Sequence, residues 1–514
     1  MSEEYGGMML SSVLSFGIHG IEGFCVRVEA DISDGMPMFE LVGYLSGEVR
    51  EARERVRTAL KNKGYVFPVK RITVNLSPGN IRKQGTGYDL PMAVAILSAM
   101  GEIREPVPGD TIILGELMLN GDVAPINGVL PMVIKARSMG IKRCILPYAN
   151  RAEGAMADDV EIIGVRNIKE AADYLNGDAV IETYRCDADK GKQGSSASGC
   201  DLKFVKGQKM ARRALEIAAC GMHNMLMVGA PGAGKSMLAK CIPTILPPLT
   251  KEEALEVSSI YSVAGLLKES GRLLYERPFI SPHHTVTDVA MTGGGACPRP
   301  GNISLAHRGV LFLDEMAEFS RYTLEVLRQP LEDRSITVAR NQGTYVYPAD
   351  FMLVGAMNPC PCGAYPDLSK CTCTEPQRRR YLNKLSRPLL DRMDICVDVE
   401  RLTYDSLMDE SVSESSAAVR ERVIAAQERQ KERLKDCGIL FNSQMGTEET
   451  GRFCVITDKI RNWFADVLER MDISARSYNK ILKVARTIAD IDGEEELGKK
   501  HLSEALMLNN SYIL

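Results

Sequence analysis

NMLMVGAPGAGKSMLAKCI, Asn224 to Ile242, is the stretch that decides the fold. An apolar run of strand type enters Gly-x-x-x-x-Gly-Lys-Ser, and a helical run leaves it, which is the setting in which a glycine-rich loop holds phosphate. Gly229, Ala230, Pro231, Gly232, Ala233 and Gly234 would form the loop. Its backbone N–H groups and the following helix N-terminus would surround phosphate oxygens. Lys235 would reach the β- and γ-phosphates, and Ser236 would ligate Mg²⁺. A glycine-rich turn that carries Lys-Ser by chance is the competing reading.

Two further stretches weigh against chance. GVLFLDE, 309–315, reads as a buried strand ending in two carboxylates. Asp314 would hold the Mg²⁺ shell, and Glu315 would orient and activate the attacking water. FMLVGAM, 351–357, is a third strand that delivers Asn358 to the same edge of a parallel sheet, where such sheets bind ligands. The Asn358 amide would position the lytic water.

With 514 residues the chain exceeds what one hydrophobic core serves, and roughly two to four domains are expected. Hydrophobic residues make up 45%, charged residues 25%, and the net charge is −4, so any polyanion site must be a local patch. The start, MSEEYGGMMLSSVLSFGIHG, has no cationic segment ahead of a long apolar run. Nothing elsewhere approaches about 18 uninterrupted apolar residues. No membrane association and a cytoplasmic location are expected.

The expected fold class is α/β multidomain. FCVRVEADI (24–32) alternates like a half-buried strand, and GEVREARERVRTALKNKG (47–64) reads as a helix. RITVNL (71–76), the apolar helix 88–101, TIILGEL (111–117), PMVIKARSMG (131–140) and KRCILP (142–147) complete a first domain, 1–184. RCDADKGKQGSSASGCD (185–201) lacks large apolar residues and reads as a flexible linker. A parallel-sheet domain is expected over 202–400, with strands at 224–229, 309–314, 351–358 and 394–399. An all-α lid is expected over 401–514, its helices at 416–438, 457–471, 477–493 and 501–508.

Fourteen cysteines are present, ten of them scattered singly. The other four, Cys360, Cys362, Cys371 and Cys373, form two Cys-x-Cys pairs in NPCPCGAYPDLSKCTCTE, 358–375. Four thiolates suit tetrahedral Zn²⁺, although one intervening residue is tighter than the usual spacing. Free thiols in a loop are the alternative. A metal here would be a structural knot on the chain path from Asn358 to Arg392 and not a catalytic centre.

The order of phosphate loop, LFLDE, strand-end Asn, PLLDRMDI (388–395) and ISARSYNKIL (473–482) resembles an AAA+ ATPase. More narrowly, PHHTVTDVAMTGGGACPRPGNISLAHRGVLFLDEMAEF (282–319), VLRQPLEDRSITVAR (326–340) and VGAMNPCPCG (354–363) closely resemble the magnesium-chelatase-like AAA+ family called YifB or ComM. The likeness runs along essentially the whole chain. It implies Lys235, Ser236, Asp314 and Glu315 as the ATPase centre, Asn358 as the sensor, Arg392 as an arginine finger acting in trans and Arg476 as a second sensor. A finger in trans implies a ring of identical copies, a hexamer. SITVARNQGTYVYPADFMLVG (335–355) resembles the hairpin that in this clade points into the ring channel. Three positions depart from the family pattern: Arg387 stands where a small residue is usual and is a competing finger, Ile280 replaces a basic residue, and Arg334 replaces a glycine at the hairpin entry.

VAPINGVLPMVIKARSMGIKRCILP (123–147) is similar to the peptidase domain of Lon-type proteases. GTGYDLPMAVAIL (85–97) resembles the segment that carries their nucleophilic serine, but here that position is Asp89. Leu130 and Met132 stand where the lysine would be. Serine–lysine chemistry needs a hydroxyl and an amine of lowered pKa, so a Lon-like fold without protease activity is expected. Within 50–71, Arg50, Arg53, Arg55, Arg57, Lys61, Lys63, Lys70 and Arg71 face only Glu51 and Glu54. That excess fits a phosphate-contacting face or a solvated helix with internal pairs, two readings of equal weight. His283 and His284 are adjacent, so on an extended chain they point to opposite faces and do not share an ion; loop anchoring or DNA contact is expected. The helix at 416–438 carries charge on every turn and reads as an exposed lid helix.

The resemblance implies a ring motor that hydrolyses ATP with Mg²⁺ to move DNA, in helicase action or branch migration during recombination or natural transformation. A chelatase-like remodeller of a protein or metal-inserting partner is the alternative.

Overall fold

A computed structural model describes residues 9–185, 200–267, 271–295, 298–340, 343–401, 413–471 and 473–509. Residues 186–199 of the expected linker lie outside the described residues. The first part is a seven-stranded sheet in the order 38–42, 71–77, 22–33, 9–19, 111–113, 143–147, 161–165. Met9–His19, which periodicity does not reveal because Ser11, Ser12 and Ser15 interrupt its apolar run, pairs antiparallel with Glu22–Ser33 from Met9↔Ile32 to His19↔Glu22. The two strands meet at the turn Gly20-Ile21, where Gly20 takes φ +67°, a conformation that disfavours side chains.

Helix Gly47–Asn62 starts at Ser46, whose Oγ accepts from the Val49 N–H, and buries Val49, Ala52, Val56, Ala59 and Leu60 on one stripe. Helix Asp89–Ala99 is enclosed on all sides, as its near-continuous apolar sequence requires. The cations of 50–71 are largely used inside this part. Arg55 pairs with Asp89, Lys63 with Asp122, Lys70 with Asp34, Arg71 with Glu40 and Arg53 with Glu54, while Arg57 lies over the Phe67 ring. Five of the eight cations thus have carboxylate partners, four of them outside the segment, which favours the solvated reading with internal pairs.

The second part is a five-stranded parallel sheet in the order Phe279–Ile280, Val310–Leu313, Met352–Met357, Met225–Gly229, Ile395–Val399. Its three central strands are buried on both faces, and the chain leaves them at one edge through Gly229, Asp314 and Asn358. Between two of them it makes the antiparallel hairpin Ser335–Arg340 and Gly343–Pro348. Arg334 enters it at φ +54°, which explains why glycine is common there.

Helices Ser416–Leu434, Ala475–Asp492 and Lys499–Leu508 share one hydrophobic core with Met225, Met227, Val310, Phe312 and Val354. The helix expected to be exposed is thus corrected: Ser416–Leu434 buries Val419, Val423, Ala426 and Leu434, and Gln427 and Gln430 donate to the Ala219 and Cys220 carbonyls. Its charges occupy the remaining stripe, which is why they recur on every turn. Among the described residues no helix is long and apolar enough to cross a membrane.

Candidate active site

The phosphate loop spans the end of Met225–Gly229 and the start of helix Lys235–Ile245. Gly232 and Gly234 take φ +76° and +94°, so the loop needs glycine at both positions whatever space surrounds them. Lys235 is buried, and its ammonium donates to the carbonyls of Gly229 at 2.6 Å and Ala230 at 3.0 Å and to Asn358 Oδ1 at 3.2 Å. Burial pushes its pKa down, while Asp314 and Glu315 oppose that shift. Ser236 Oγ donates to Asp314 Oδ2 at 2.7 Å, so a hydroxyl and a carboxylate converge as Mg²⁺ coordination requires.

Glu315 directly follows Asp314, its N–H donating to Asp314 Oδ1 at 3.0 Å. It holds φ +51° although it is not glycine, with 62% of its side chain exposed. A left-handed residue costs free energy, and such positions persist where surrounding structure holds them, often at functional sites. The carboxylate faces a cavity of about 330 Å³ lined by Pro231–Met237, Asp314, Glu315, Met357 and Asn358. Five expected centre residues, Lys235, Ser236, Asp314, Glu315 and Asn358, are thus brought together.

Sequence reasoning missed one neighbour. His284 Nδ1 lies 3.9 Å from Glu315 Oε2, and the His283 and His284 rings are 4.1 Å apart. The expectation that adjacent histidines diverge is corrected: the chain here is a loop, not a strand, and it brings the rings together at a tilt of 33°. The position of PHH shortly ahead of the carboxylate strand was the available signal.

Arg392 and Arg476 are not in this cavity. They line another, of about 300 Å³, between the sheet domain and the C-terminal helices. Arg392 is bound by Glu332 and the Pro388 carbonyl, and Arg476 Nη1 lies 3.1 Å from Asp391 Oδ2. The Arg392 guanidinium is pushed down by burial and by its cationic neighbours Arg328 and Arg476. Arg387, the competing finger, is exposed at the start of the short helix Arg387–Leu390.

The four cysteines are gathered. Sγ of Cys360 lies 3.4 Å from that of Cys362 and 3.8 Å from that of Cys371, and Cys362 to Cys371 is 3.6 Å. With Cys373 included, all four sulfurs lie within 4.8 Å of one another. A tetrahedron with Zn–S of about 2.3 Å has edges of about 3.8 Å, so the donor set fits Zn²⁺. The cage loop also touches the phosphate loop: a Cβ on Gly363 would lie 2.3 Å from Pro231 Cδ.

In the first part, Asp89 is buried and held by Arg55, with Nε to Oδ2 at 2.7 Å and Nη2 to Oδ1 at 3.0 Å, and it accepts from the Leu117 N–H. Leu130 and Met132 sit in a separate apolar cluster. A nucleophile's position is thus filled by a closed ion pair.

Family models described as magnesium chelatase subunit ChlI match residues 201–407 and 28–150, and one for the ChlI C-terminal region matches 413–509. YifB of Escherichia coli is 39% identical over 502 residues, covering 97% of each chain. The competence protein ComM of Haemophilus influenzae is 38% identical over 505 residues, again covering 97% of each. Lon protease 2 of Bacillus subtilis is 36% identical over 123 residues, 24% of this chain and 22% of the protease. End-to-end identity of this kind, joined to the assembled phosphate loop and carboxylate pair, means that the chain belongs to the magnesium-chelatase-like AAA+ family of YifB and ComM.

Proposed function

We propose that the protein is an ATP-hydrolysing ring motor that acts on DNA, its active sites shared between neighbouring copies. One observation carries the shared site: the phosphate cavity is lined by lysine, serine and carboxylates, while Arg392 and Arg476 line a different cavity on the same chain. Charge developing on a transferred γ-phosphate needs such arginines, and a neighbouring subunit can supply them. Both arginines then act in trans, and a head-to-tail contact of this kind closes into a ring, taken here as a hexamer.

Within one site, Lys235 leaves its carbonyl partners to bind the β- and γ-phosphates. Ser236 and Asp314 would hold Mg²⁺, which would supply positive charge to offset that of the phosphates. Asn358 orients water, and Glu315 accepts its proton as the oxygen attacks the γ-phosphorus, releasing ADP and phosphate. Residues 202–400 carry this chemistry, 401–514 carry Arg476, and 1–184 form a Lon-like non-proteolytic domain. Cys360, Cys362, Cys371 and Cys373 would hold a structural Zn²⁺, which would stiffen the path from Asn358 to the finger.

DNA is the substrate suggested by the competence role in the name of the Haemophilus relative and by the hairpin 335–348, with branch migration or unwinding in the cytoplasm as the work done. The test is ATP hydrolysis with and without single-stranded and forked DNA. Stimulation that disappears in Lys235→Ala is expected. No effect of DNA on hydrolysis or on oligomer formation overturns the motor and favours a remodeller of protein partners.

A further inference from the structure

The hairpin does not stand free. Its second strand, Gly343–Pro348, is gripped by the N-terminal domain at sites far away in sequence. His19 Nε2 lies 3.1 Å from the Thr344 carbonyl, and the His19 ring lies 4.6 Å from that of Tyr345. Gln84 Nε2 donates to Tyr345 Oη at 3.1 Å. Ile21 packs against the cluster that holds Ile336, Val338, Tyr345 and Tyr347. Gly20 lies so close that a Cβ there would come 3.0 Å from the Val346 carbonyl oxygen.

The arm that makes these contacts is built for reach. Strands Met9–His19 and Glu22–Ser33 pair along their length, but the flanking strands reach only Leu14 and Arg27, so Ser15–His19 and Glu22–Val26 run on as a two-stranded arm of about five residues, roughly 17 Å at about 3.4 Å each. The same domain holds a second point on the ATPase part. Glu153 Oε1 accepts from Ser262 Oγ, the Gly128 N–H donates to the Ser262 carbonyl, and Lys251 pairs with Asp158. Ser262 and Lys251 belong to helix Lys251–Ala264, the next helix after the one that follows the phosphate loop. One domain therefore bridges the hairpin and a helix next in chain order to the nucleotide-binding helix.

We propose that the Lon-like domain is the positioning element of the hairpin, with His19 and Gln84 as positioning residues that hold it relative to the ATP site. Load on the hairpin passes through the two-stranded arm into this domain and on to Lys251–Ala264. This rests on the reading of the hairpin as the element that meets DNA. It gives a domain without peptidase residues a mechanical task.

The test uses the full-length His19→Ala/Gln84→Ala protein, with His19→Gln, which restores a donor toward the Thr344 carbonyl, as the rescue. Backbone amide exchange over 335–348 is expected to rise roughly fivefold or more in the double variant, as the loss of two hydrogen bonds implies, and to return toward the parent in the rescue. Basal ATP hydrolysis and the KM for ATP are expected to stay within about twofold, while the ratio of DNA-stimulated to basal rate falls toward one. Unchanged exchange, or an unchanged stimulation ratio in a parent that responds to DNA, overturns the proposal. An equal loss of basal and stimulated rates overturns it too, since that marks a merely structural role. If the parent shows no response to DNA, the motor reading has failed, and the exchange measurement alone decides whether the domain holds the hairpin.

Discussion

Placing the arginines apart from the phosphate loop makes a quantitative prediction about mixed assemblies. Lys235→Ala removes the phosphate-binding half of a site but leaves Arg392 intact, and Arg392→Ala does the reverse. If a working site takes its loop from one copy and its arginine from the next, each variant alone has no complete site. Loss of a finger arginine costs about 10³-fold or more in rate, or ~4 kcal/mol of barrier. In a randomly assembled equimolar mixture, a site works only when an Arg392→Ala copy supplies the loop and a Lys235→Ala copy supplies the arginine. Each condition is met about half the time, so about one quarter of the parent rate returns, whatever the number of copies in the ring. The assay is phosphate release at saturating ATP and Mg²⁺ after subunit mixing. A mixture no more active than the mean of the separate variants refutes the shared site and means that Arg392 serves its own chain after a rearrangement of the C-terminal helices.

The cysteine cage is expected to retain about one Zn²⁺ per chain after purification, measured by metal analysis, and Cys360→Ser/Cys362→Ser is expected to lose it together with thermal stability; a parent without zinc, and a variant that hydrolyses ATP and assembles as well as the parent, would refute the cage. Arg55→Ala leaves the Asp89 carboxylate buried without its partner and is expected to destabilise the protein by about 3–5 kcal/mol in urea unfolding. A loss below about 1 kcal/mol would mean that Asp89 takes up a proton or that water reaches it.

The nucleotide half of the site was legible because it is local. Gly229 to Ser236 declare a phosphate loop by spacing alone, GVLFLDE declares a buried strand ending in carboxylates, and FMLVGAM is a third strand that delivers Asn358 to the same edge. The strand Met9–His19 was not legible, because serines break its period and only its pairing with Glu22–Ser33 identifies it. Charge counting over 50–71 left two readings open for a related reason. Arg55 and Asp89 are 34 residues apart, and a sum over one segment omits carboxylates from other elements.

The sequence by itself determined the phosphate-loop motif, the carboxylate strand that follows it and the family, since motif spacing and hydrophobic period act over a few residues and survive in one dimension. Tertiary structure alone decided what each part touches: that four thiols converge, that Arg392 and Arg476 line a cavity other than that of their own phosphate loop, and that the hairpin rests on the Lon-like domain. Gln84 and Tyr345 are 261 residues apart, and nothing in either neighbourhood encodes the other. Their meeting follows from how two separately folded sheets pack, a matter of surface shape and buried area summed over many residues and not of any one motif.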